Sequence, residues 1–433
     1  MRLELCTFPV TDIIFDQRTS YDDCGSLQIN RDELVKMVLS DKRITKADID
    51  IVRPGEETRV TWVRDVVEPR VKASGTGGVF PGIIGSVEPV GSGKTHRLSG
   101  MGIVAAVEYT SSLKTGSGRA HPALLDMFGP AAAISIFAST INIVLVMTLE
   151  EGLNEFEGHT VVQAAECRLA EYLARTTLAK EPASIEVFEL TQVNDSLPKV
   201  GYVLGFNTSW YSPTGVHFYG MPIKESLPTL VHPNIFFDGA VSPTAIDGAM
   251  RGTLWEWCNQ PIIRELYRQH GTSLNFQGVL LHRSRWDTHA GKEIAAYQVA
   301  EMAHLLRWDG AMITWLLSGN AFVDTMLAIR ACERRGIKTV LVVDEYSVGK
   351  GGTDVPLIMT VPEADAMVST GTRDMAIDLP PALRVVGPNN TYRDFTPGRP
   401  DVPAAGPINL DSWERIVGTV DPWGRARRTC ETY

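Results

Sequence analysis

The stretch GVLLHRSRWDTHAGKEIAAYQVAEMAHLLRWDGAMITWLL, residues 278–317, decides the fold of the carboxy-terminal half of the chain. It divides into a short apolar run typical of a strand, a longer amphipathic run typical of a helix, and a second strand. The same alternation continues in FVDTMLAIRACERRG and KTVLVVDEY, residues 322–336 and 338–346. Strands that alternate with helices of this length predict a doubly wound parallel sheet within an α/β fold.

The rest of the chain divides into two further parts and a tail. Residues 1–115 carry short extended runs separated by Gly, Pro and Asp, which predict a strand-rich domain. Residues 116–230 predict a mixed α/β domain, in which PALLDMFG, residues 122–129, is expected to be helical. Residues 231–433 combine a turn-rich loop, the doubly wound domain and a tail, where TPGRPDVPAAGP, residues 396–407, indicates a linker or surface arm.

Two long helices are predicted outside the alternating half. GHTVVQAAECRLAEYLARTTLA, residues 158–179, has apolar residues at helical spacing and is expected to cover a sheet. The residues that carry this spacing are Val162, Ala165, Leu169 and Leu173. LWEWCNQPIIRELYRQHG, residues 254–271, is expected to form one helix before the first strand of the doubly wound domain.

The composition is that of a globular protein, since 44% of its 433 residues are apolar and 21% are charged. The chain has 41 Lys and Arg against 51 Asp and Glu and no long basic run, so nucleic acid is not an expected partner. The start MRLELCTFPV has no signal-peptide pattern, which favours a cytoplasmic protein. Residues 127–149 are uncharged, but their Gly-Pro start and β-branched second half favour a buried strand over a membrane span.

Metal and nucleotide sites have little support in the sequence. The six cysteines form no C-x-x-C motif and no His/Cys pair at zinc spacing, so reduced structural thiols and no metal site are expected. VEPVGSGKTH, residues 87–96, is similar to a phosphate-binding loop, but Glu88 stands where that loop needs glycine. A carboxylate there repels phosphate, and the strand-rich surroundings favour a hairpin turn.

In an open parallel sheet, ligands bind outside the carboxyl ends of the strands. Three loops are expected there, at residues 282–285, 318–320 and 344–347. A carboxylate pair beside a tyrosine can orient an amine or transfer protons. The expected substrate-binding residues at this edge are Asn320, Asp344, Glu345 and Tyr346. The alternative is that Asp344 caps a turn and that Glu345 is solvated.

The loop FFDGAVSPTAIDGAM, residues 236–250, concentrates turn-forming and hydroxyl-bearing residues just past the middle of the chain. Several other runs occur with it in a fixed order: MRLEL, EPRVKASGTGGVFPG, VGSGKTHRLSGMGIV, HPNIFFDGAV, QPIIRELYRQHG, LNFQGVLL and GIKTVLVVDEYS. Together they resemble the precursor of the amine-binding subunit of the glycine, sarcosine and betaine reductases, which is related to the D-proline reductase precursor. The resemblance extends from residue 1 to about residue 381.

The resemblance implies reductive cleavage of a carbon–nitrogen bond by a complex of several subunits. In the family, the precursor cuts itself at a cysteine shortly after the segment that matches DGAV, and a pyruvoyl group remains on the new end. The thiol attacks the preceding carbonyl to give a thioester, and β-elimination then leaves dehydroalanine, which hydrolyses to a ketone. That ketone forms a Schiff base with a small amine or amino-acid substrate. A selenol or thiol on a partner subunit supplies the reducing attack, and an oligomeric assembly is expected.

This sequence departs from the family pattern at the decisive position. The family has Asn or Thr followed by Cys, whereas the matching residues here are Thr244 and Ala245. Alanine has neither a nucleophilic atom nor a leaving group, so the pyruvoyl group is expected at position 245 only if cysteine is present there. Asp238, Asp247 or His232 can polarise the carbonyl or move protons, and His232 is also an expected substrate-binding residue.

Three interpretations of this departure stay open. Ala245 replaces a native cysteine by engineering, and the chain is an uncut variant. Alternatively, Ser242 is the nucleophile, although Pro243 would then follow the pyruvoyl-forming residue. In the third interpretation, the chain is a naturally unprocessed scaffold or interaction subunit of a reductase complex.

Overall fold

The chain contains both helices and strands. A computed structural model describes residues 1–108, 123–207, 215–223, 226–243, 252–284, 286–315, 320–345, 359–372, 375–393 and 400–425. Within these residues the helices are α1 (Arg31–Val38), α2 (Gly129–Ala132), α3 (Glu155–Ala174), α4 (Asn234–Phe237), α5 (Leu254–Cys258), α6 (Pro261–Gln269), α7 (His289–Leu305) and α8 (Ala321–Glu333). Helices α3, α7 and α8 confirm the predicted amphipathic helices.

The largest parallel sheet, which we call the carboxy-terminal sheet, forms in the half of the chain where alternation predicts it. Its strands, in spatial order, are β16 (Thr229–Val231), β18 (Asn275–Ser284), β13 (Lys199–Asn207), β19 (Gly310–Thr314), β20 (Lys338–Glu345) and β21 (Met367–Thr372). All neighbouring pairs are parallel except β16 with β18. The predicted α/β class and parallel sheet are therefore confirmed.

Apolar residues cover both faces of the carboxy-terminal sheet. Val203 and Leu280 belong to a core that includes the buried residues of α7 and α8. Tyr202 and Leu281 belong to a second core that contains the buried residues of α4 and α6. Because side chains alternate between the two faces of a strand, neighbouring residues enter different cores. The sheet is thus packed on both sides, as expected for a doubly wound fold.

Two further sheets carry the amino-terminal part. The first contains β12 (Ser184–Glu189), β1 (Arg2–Pro9), β8 (Gly93–Ser99) and β7 (Arg70–Ser74) in that order. The second contains β10 (Ala123–Asp126), β6 (Thr58–Val67), β9 (Met101–Val107), β11 (Ile141–Leu149) and β5 (Ile44–Val52), with β23 (Arg384–Val386) beside β6. The apolar residues predicted on α3 are buried with the residues of β9 and β11 in one core. Helix α3 therefore covers a sheet as predicted.

The remaining strands form small sheets of two or three strands. One contains β15 (Met221–Pro222), β14 (Val216–Phe218) and β17 (Val241–Pro243). The others are β2 (Asp12–Phe15), β4 (Ser26–Ile29) and β3 (Ser20–Tyr21), then β22 (Ile377–Leu379) with β26 (Ile408–Leu410), and β24 (Thr391–Tyr392) with β25 (Val402–Pro403). Only β14 and β17 enter the site described below.

Residues 116–230 contribute strands to several sheets. Strand β12 pairs with β1 in the first amino-terminal sheet. Strands β10 and β11 join the second amino-terminal sheet, and β13 lies inside the carboxy-terminal sheet. The hydrogen-bonded pairing thus crosses the boundaries predicted near residues 115 and 230. The division into three domains stays a prediction.

Two local predictions are wrong. The expected helix in PALLDMFG contains strand β10, because all four strand residues are buried and pairing with β6 overrides helix propensity. Residues 254–271 form two helices, and Pro261 starts the second, where its missing N–H costs nothing.

The expected linker or surface arm is described from residue 400 onward. Most residues of 400–407 are exposed, and the buried Arg59 anchors this stretch by donating hydrogen bonds of 2.8 Å to the carbonyls of Ala404 and Gly406.

The uncharged residues 127–149 contain α2, a short 3₁₀ turn and the buried strand β11. In the part of the chain that the structure describes, no helix has the length and apolarity needed to cross a bilayer.

Candidate functional site

The motif HPNIFFDGAV, residues 232–241, forms most of a buried segment. We call this segment, residues 233–243, the DGAV segment. It begins with α4, turns at Asp238 and Gly239, and continues as β17. Gly239 has φ of +75°, and a Cβ at this position would lie 2.5 Å from Cδ1 of Phe80. Only glycine combines this backbone conformation with such a close approach. The turn therefore depends on Gly239.

The side chain of Asp238 is fully buried and bound by three donors. Nζ of Lys72 lies 2.5 Å from Oδ2, and the backbone N–H of Gly91 donates to the same oxygen at 2.7 Å. Oγ1 of Thr95 donates to Oδ1 at 2.6 Å. Lys72 and Thr95 are register partners on β7 and β8, and Gly91 lies in the loop that joins these strands. The glycine-rich loop that looked like a phosphate site thus binds a carboxylate of its own chain.

The backbone of the DGAV segment is anchored to the same hairpin and its loop. The N–H of Phe80 donates to the carbonyl of Asp238 at 2.7 Å. Nη1 of Arg70 donates to the carbonyl of Phe237 at 2.6 Å, and its Nε and Nη2 bind Oε2 of Glu68. Arg70 and Glu68 are both buried, so this is an internal ion pair. The segment is therefore held through backbone and side chain alike.

Ser242 lies opposite His217 in the antiparallel pair of β17 and β14. Ser242 is fully buried, and its Oγ has no hydrogen-bond partner among the described residues. Burial lowers the pKa of His217 to about 4, so its imidazole is neutral at pH 7. A neutral imidazole can accept a proton from a hydroxyl once the two groups come within hydrogen-bond distance.

Helix α3 contributes a buried polar stripe next to β17, made of His159, Gln163 and Glu166. The spacing of four and then three residues places these side chains on one side of the helix. Nε2 of Gln163 donates to the carbonyl of Pro243 at 3.1 Å, and the ring centroids of His159 and His217 lie 5.8 Å apart. Burial lowers the pKa of His159 to about 3, with a smaller effect of His217. Two neutral histidines and an amide therefore line the end of the DGAV segment.

Glu166 forms a buried carboxyl pair with Asp65 of β6. Burial raises the pKa of Asp65 to about 7. Burial, together with the neighbouring Asp65, raises the pKa of Glu166 well above its usual value. Oδ1 of Asp65 accepts a hydrogen bond of 2.8 Å from the N–H of Leu254 at the start of α5. The pair therefore keeps a proton at neutral pH, which is the usual outcome for two carboxyls in an apolar interior.

A family model described as glycine/sarcosine/betaine reductase component B subunits matches residues 1–417. The chain belongs to this family. It is 33% identical over 394 residues to the glycine reductase complex component B subunits alpha and beta of Peptoclostridium acidaminophilum, and 89% of each chain is covered. A relative of the same name from Acetoanaerobium sticklandii is 32% identical over 443 residues, with 100% of both chains covered.

A third component B relative is the sarcosine reductase complex component B subunit alpha of Peptoclostridium acidaminophilum. It is 32% identical over 394 residues, and 89% of each chain is covered. No solved structure matches the chain. The family resemblance inferred from the sequence motifs is thus confirmed.

The structure of this component B family member describes six of the ten expected site residues. Asp238 and Ser242 lie together in the DGAV segment, and His232 immediately precedes it. Burial, with the nearby amino-terminal ammonium, lowers the pKa of His232 to about 4. Its Nδ1 accepts a hydrogen bond of 3.2 Å from the N–H of Asn234. The expected site residues outside the described residues are Thr244, Ala245, Asp247 and Tyr346.

The other expected substrate-binding residues lie at the carboxyl edge of the carboxy-terminal sheet. Asp344 and Glu345 end β20, and the exposed Asn320 precedes α8. Strand β16 is antiparallel and runs away from this edge, so His232 does not join them. Glu345 is half-buried and accepts a hydrogen bond of 2.5 Å from Oγ of Ser369, and the alternative of a solvated carboxylate stays open. The expected loop at residues 282–284 is the end of strand β18, because these residues pair with β13.

The buried polar stripe of α3 was missed at the sequence level. The apolar spacing on α3 predicts only the face that covers the sheet, whereas His159, Gln163 and Glu166 repeat at helical spacing within the same run. His217 was missed because its strand has only three residues. A helix with a polar repeat inside an otherwise apolar sequence is a detectable signal for such a cluster.

We expect Gly239→Ala to destabilise the chain more than Gly336→Ala. Both glycines have positive φ, +75° and +81°, but no atom lies within 4 Å of a Cβ placed at Gly336. Both variants therefore have the same kind of backbone strain. In Gly239→Ala the contact with Phe80 adds an overpacking cost of about 1–3 kcal/mol. Urea denaturation of both variants measures this difference. Equal losses of unfolding free energy would show that the approach to Phe80 is relaxed without cost.

We expect Glu166→Gln to flatten the dependence of stability on pH. The ordinary pKa values of the Asp and Glu carboxyls are 3.8 and 4.5, and burial raises the pKa of both Asp65 and Glu166 in the folded chain. Between about pH 4 and pH 7 the folded chain thus binds more protons than the unfolded chain, and the free energy of unfolding falls as pH rises. Removing one titrating group reduces that slope by about 1.4 kcal/mol per pH unit at most.

The matched control is Glu171→Gln on the same helix, because Glu171 pairs with Arg175 at the surface. The pKa values of the buried His159 and His217 are lowered in the folded chain, so their contribution to the free energy of unfolding rises with pH. Both histidines are present in the unaltered chain and in the two variants. Urea denaturation at pH 5 and pH 7 therefore isolates the effect of Glu166. An unchanged slope in the Glu166→Gln chain rules out the shared proton.

Proposed function

We propose that this chain is the amine-binding subunit of a glycine/D-proline reductase-like complex that cleaves a carbon–nitrogen bond reductively. Family membership over residues 1–417 supports this proposal. The relatives' names place them in glycine, sarcosine and betaine reductase complexes, all as component B. The names of two relatives cover both an alpha and a beta subunit, which supports a precursor that is divided into two.

The observation that carries the proposal is the convergence of three distant parts of the chain on the DGAV segment. The β7–β8 hairpin binds Asp238, β14 pairs with β17, and Gln163 of α3 binds the carbonyl of Pro243. Pro243 precedes Ala245 by two positions in the sequence. A peptide bond that is to react must be held in one geometry. The three contacts hold residues 238–243, which precede the peptide bond between Thr244 and Ala245 in the sequence.

Ala245 does not fit a pyruvoyl group, because its methyl side chain has no heteroatom to attack a carbonyl or to be eliminated. We therefore propose that the chain as it stands remains uncut at this position. This residue is also the observation that favours a second candidate function, a naturally unprocessed scaffold of the reductase complex. Ser242 offers an alternative hydroxyl, and His217 lies opposite it as a neutral base.

The reducing thiol or selenol is proposed to reside on a partner subunit. Among the described cysteines, Cys6, Cys167, Cys258 and Cys332 are buried. Burial raises the pKa of the Cys258 and Cys332 thiols to about 12, and that of Cys167 well above its usual value. Such thiols are protonated at neutral pH and are poor nucleophiles. The four buried thiols support a reductant on another chain, whereas Cys24 is exposed. The relatives' names, which refer to glycine, sarcosine and betaine, support a small amine or amino acid as the substrate.

We expect Ala245→Cys to restore cutting of the chain. The thiol supplies both the attacking atom and the leaving group, so residues 1–244 and 245–433 should appear as two fragments. Intact mass spectrometry after treatment with a carbonyl-trapping hydrazine measures cutting and the new ketone together. The ketone should lie on the carboxy-terminal fragment.

Ala240→Cys is the matched control, since it places a thiol five positions upstream in the same segment, and it should stay whole. An uncut Ala245→Cys chain that is folded contradicts the maturation proposal and favours the scaffold. Cutting of the unaltered chain before Ser242, with a ketone on the downstream fragment, would instead identify Ser242 as the nucleophile.

A further inference from the structure

A basic cavity of about 660 Å³ lies between β12, α5, α6 and the end of the described chain. Its charged lining consists of Arg97, Arg264, Arg268, Arg425, Glu186 and Glu265. Its volume is in the range of small-molecule sites. Neither the family resemblance nor the DGAV segment assigns a role to it.

The carboxylates of the cavity do not balance its four arginines. Glu186 serves two of them, since it accepts from Nη2 of Arg97 at 3.2 Å and also binds Arg264. Nη1 of Arg264 is buried and has no hydrogen-bond partner among the described residues. Arg425 donates to the backbone carbonyls of residues 256 and 259, and no carboxylate of the described chain lies within ion-pair distance of it. The guanidinium groups of Arg264 and Arg425 thus have N–H donors that can bind a ligand.

Like charges in this cavity repel one another. Burial lowers the pKa of Arg425 to about 10; Glu256 and Asp421 oppose this decrease, and the nearby Arg264 adds to it. Burial also lowers the pKa of Arg97; Glu68 opposes this decrease, and Arg70 and Arg264 add to it. A bound anion relieves both the repulsion and the unmatched burial of charge.

Aromatic rings position two of the guanidinium groups. The guanidinium of Arg425 lies 4.7 Å from the ring centroid of Trp255, and that of Arg264 lies 5.8 Å from the ring centroid of Phe188. Cation–π contact of this kind orders arginine without consuming its N–H donors. A planar fork of donors held in this way matches the oxygens of phosphate or carboxylate groups.

We propose that this cavity binds an oxyanion, a phosphate or carboxylate group of a small ligand, through Arg264 and Arg425. The cavity shares residues with the hydrogen-bond network that anchors the DGAV segment. Arg97 and Arg70 both bind Asn259, and Arg70 holds the carbonyl of Phe237. The proposal concerns binding alone and does not depend on cutting of the chain.

The test is isothermal titration of the full chain with inorganic phosphate and, separately, with acetate, each against chloride at equal ionic strength. We expect saturable binding of at least one of the two anions, and the stronger response identifies a phosphoryl or a carboxylate site. Arg264→Gln should weaken that binding about tenfold or more, because it removes a charge-assisted hydrogen bond. Arg264→Lys should retain part of the affinity.

Arg175→Gln is the matched control, because Arg175 is exposed and pairs with Glu171 outside the cavity. It should leave anion binding unchanged. If Arg264→Gln does not fold, Arg425→Gln provides the test, since Arg425 is the second proposed ligand and its guanidinium donates only to backbone carbonyls within the described chain. The proposal is overturned if neither anion binds more than chloride does, or if the cavity variant and Arg175→Gln bind equally well.

Discussion

The buried carboxylate of Asp238 is the interaction on which the rest of the site depends. A carboxylate without solvent contact is stable only when donors surround it, and removing one partner of a buried ion pair costs about 3–5 kcal/mol. Lys72, Gly91 and Thr95 provide these donors, and all three belong to the β7–β8 hairpin and its loop. The amino-terminal sheet and the DGAV segment therefore fold in a mutually dependent way.

The polar groups around β17 differ from this fully bonded cradle. Ser242 has a hydroxyl without a partner in the described chain, His159 and His217 are neutral, and the Asp65–Glu166 pair retains a proton. Buried groups with strongly shifted pKa values are concentrated at functional sites more often than elsewhere. The chain thus combines a rigid anchor before the turn with an adaptable polar environment after it.

The sequence predicts the carboxy-terminal sheet well, because strand and helix periodicities are local properties that survive in the fold. It does not predict the role of Asp238, whose partners lie 143, 147 and 166 residues away. It also misplaces PALLDMFG, since pairing with β6 overrides the local preference of those residues. Long-range pairing, rather than residue type, determines both outcomes.

We propose that the Asp238 cradle holds the DGAV segment in the geometry needed for cutting once cysteine stands at position 245. The most direct measurement is the rate of fragment formation in Ala245→Cys, alone and combined with Asp238→Asn, in chains with unchanged circular dichroism. Asp195→Asn, at an exposed position, is the matched control. The account predicts that Asp238→Asn slows cutting and that Asp195→Asn does not. Equal rates in the two combined variants would contradict it.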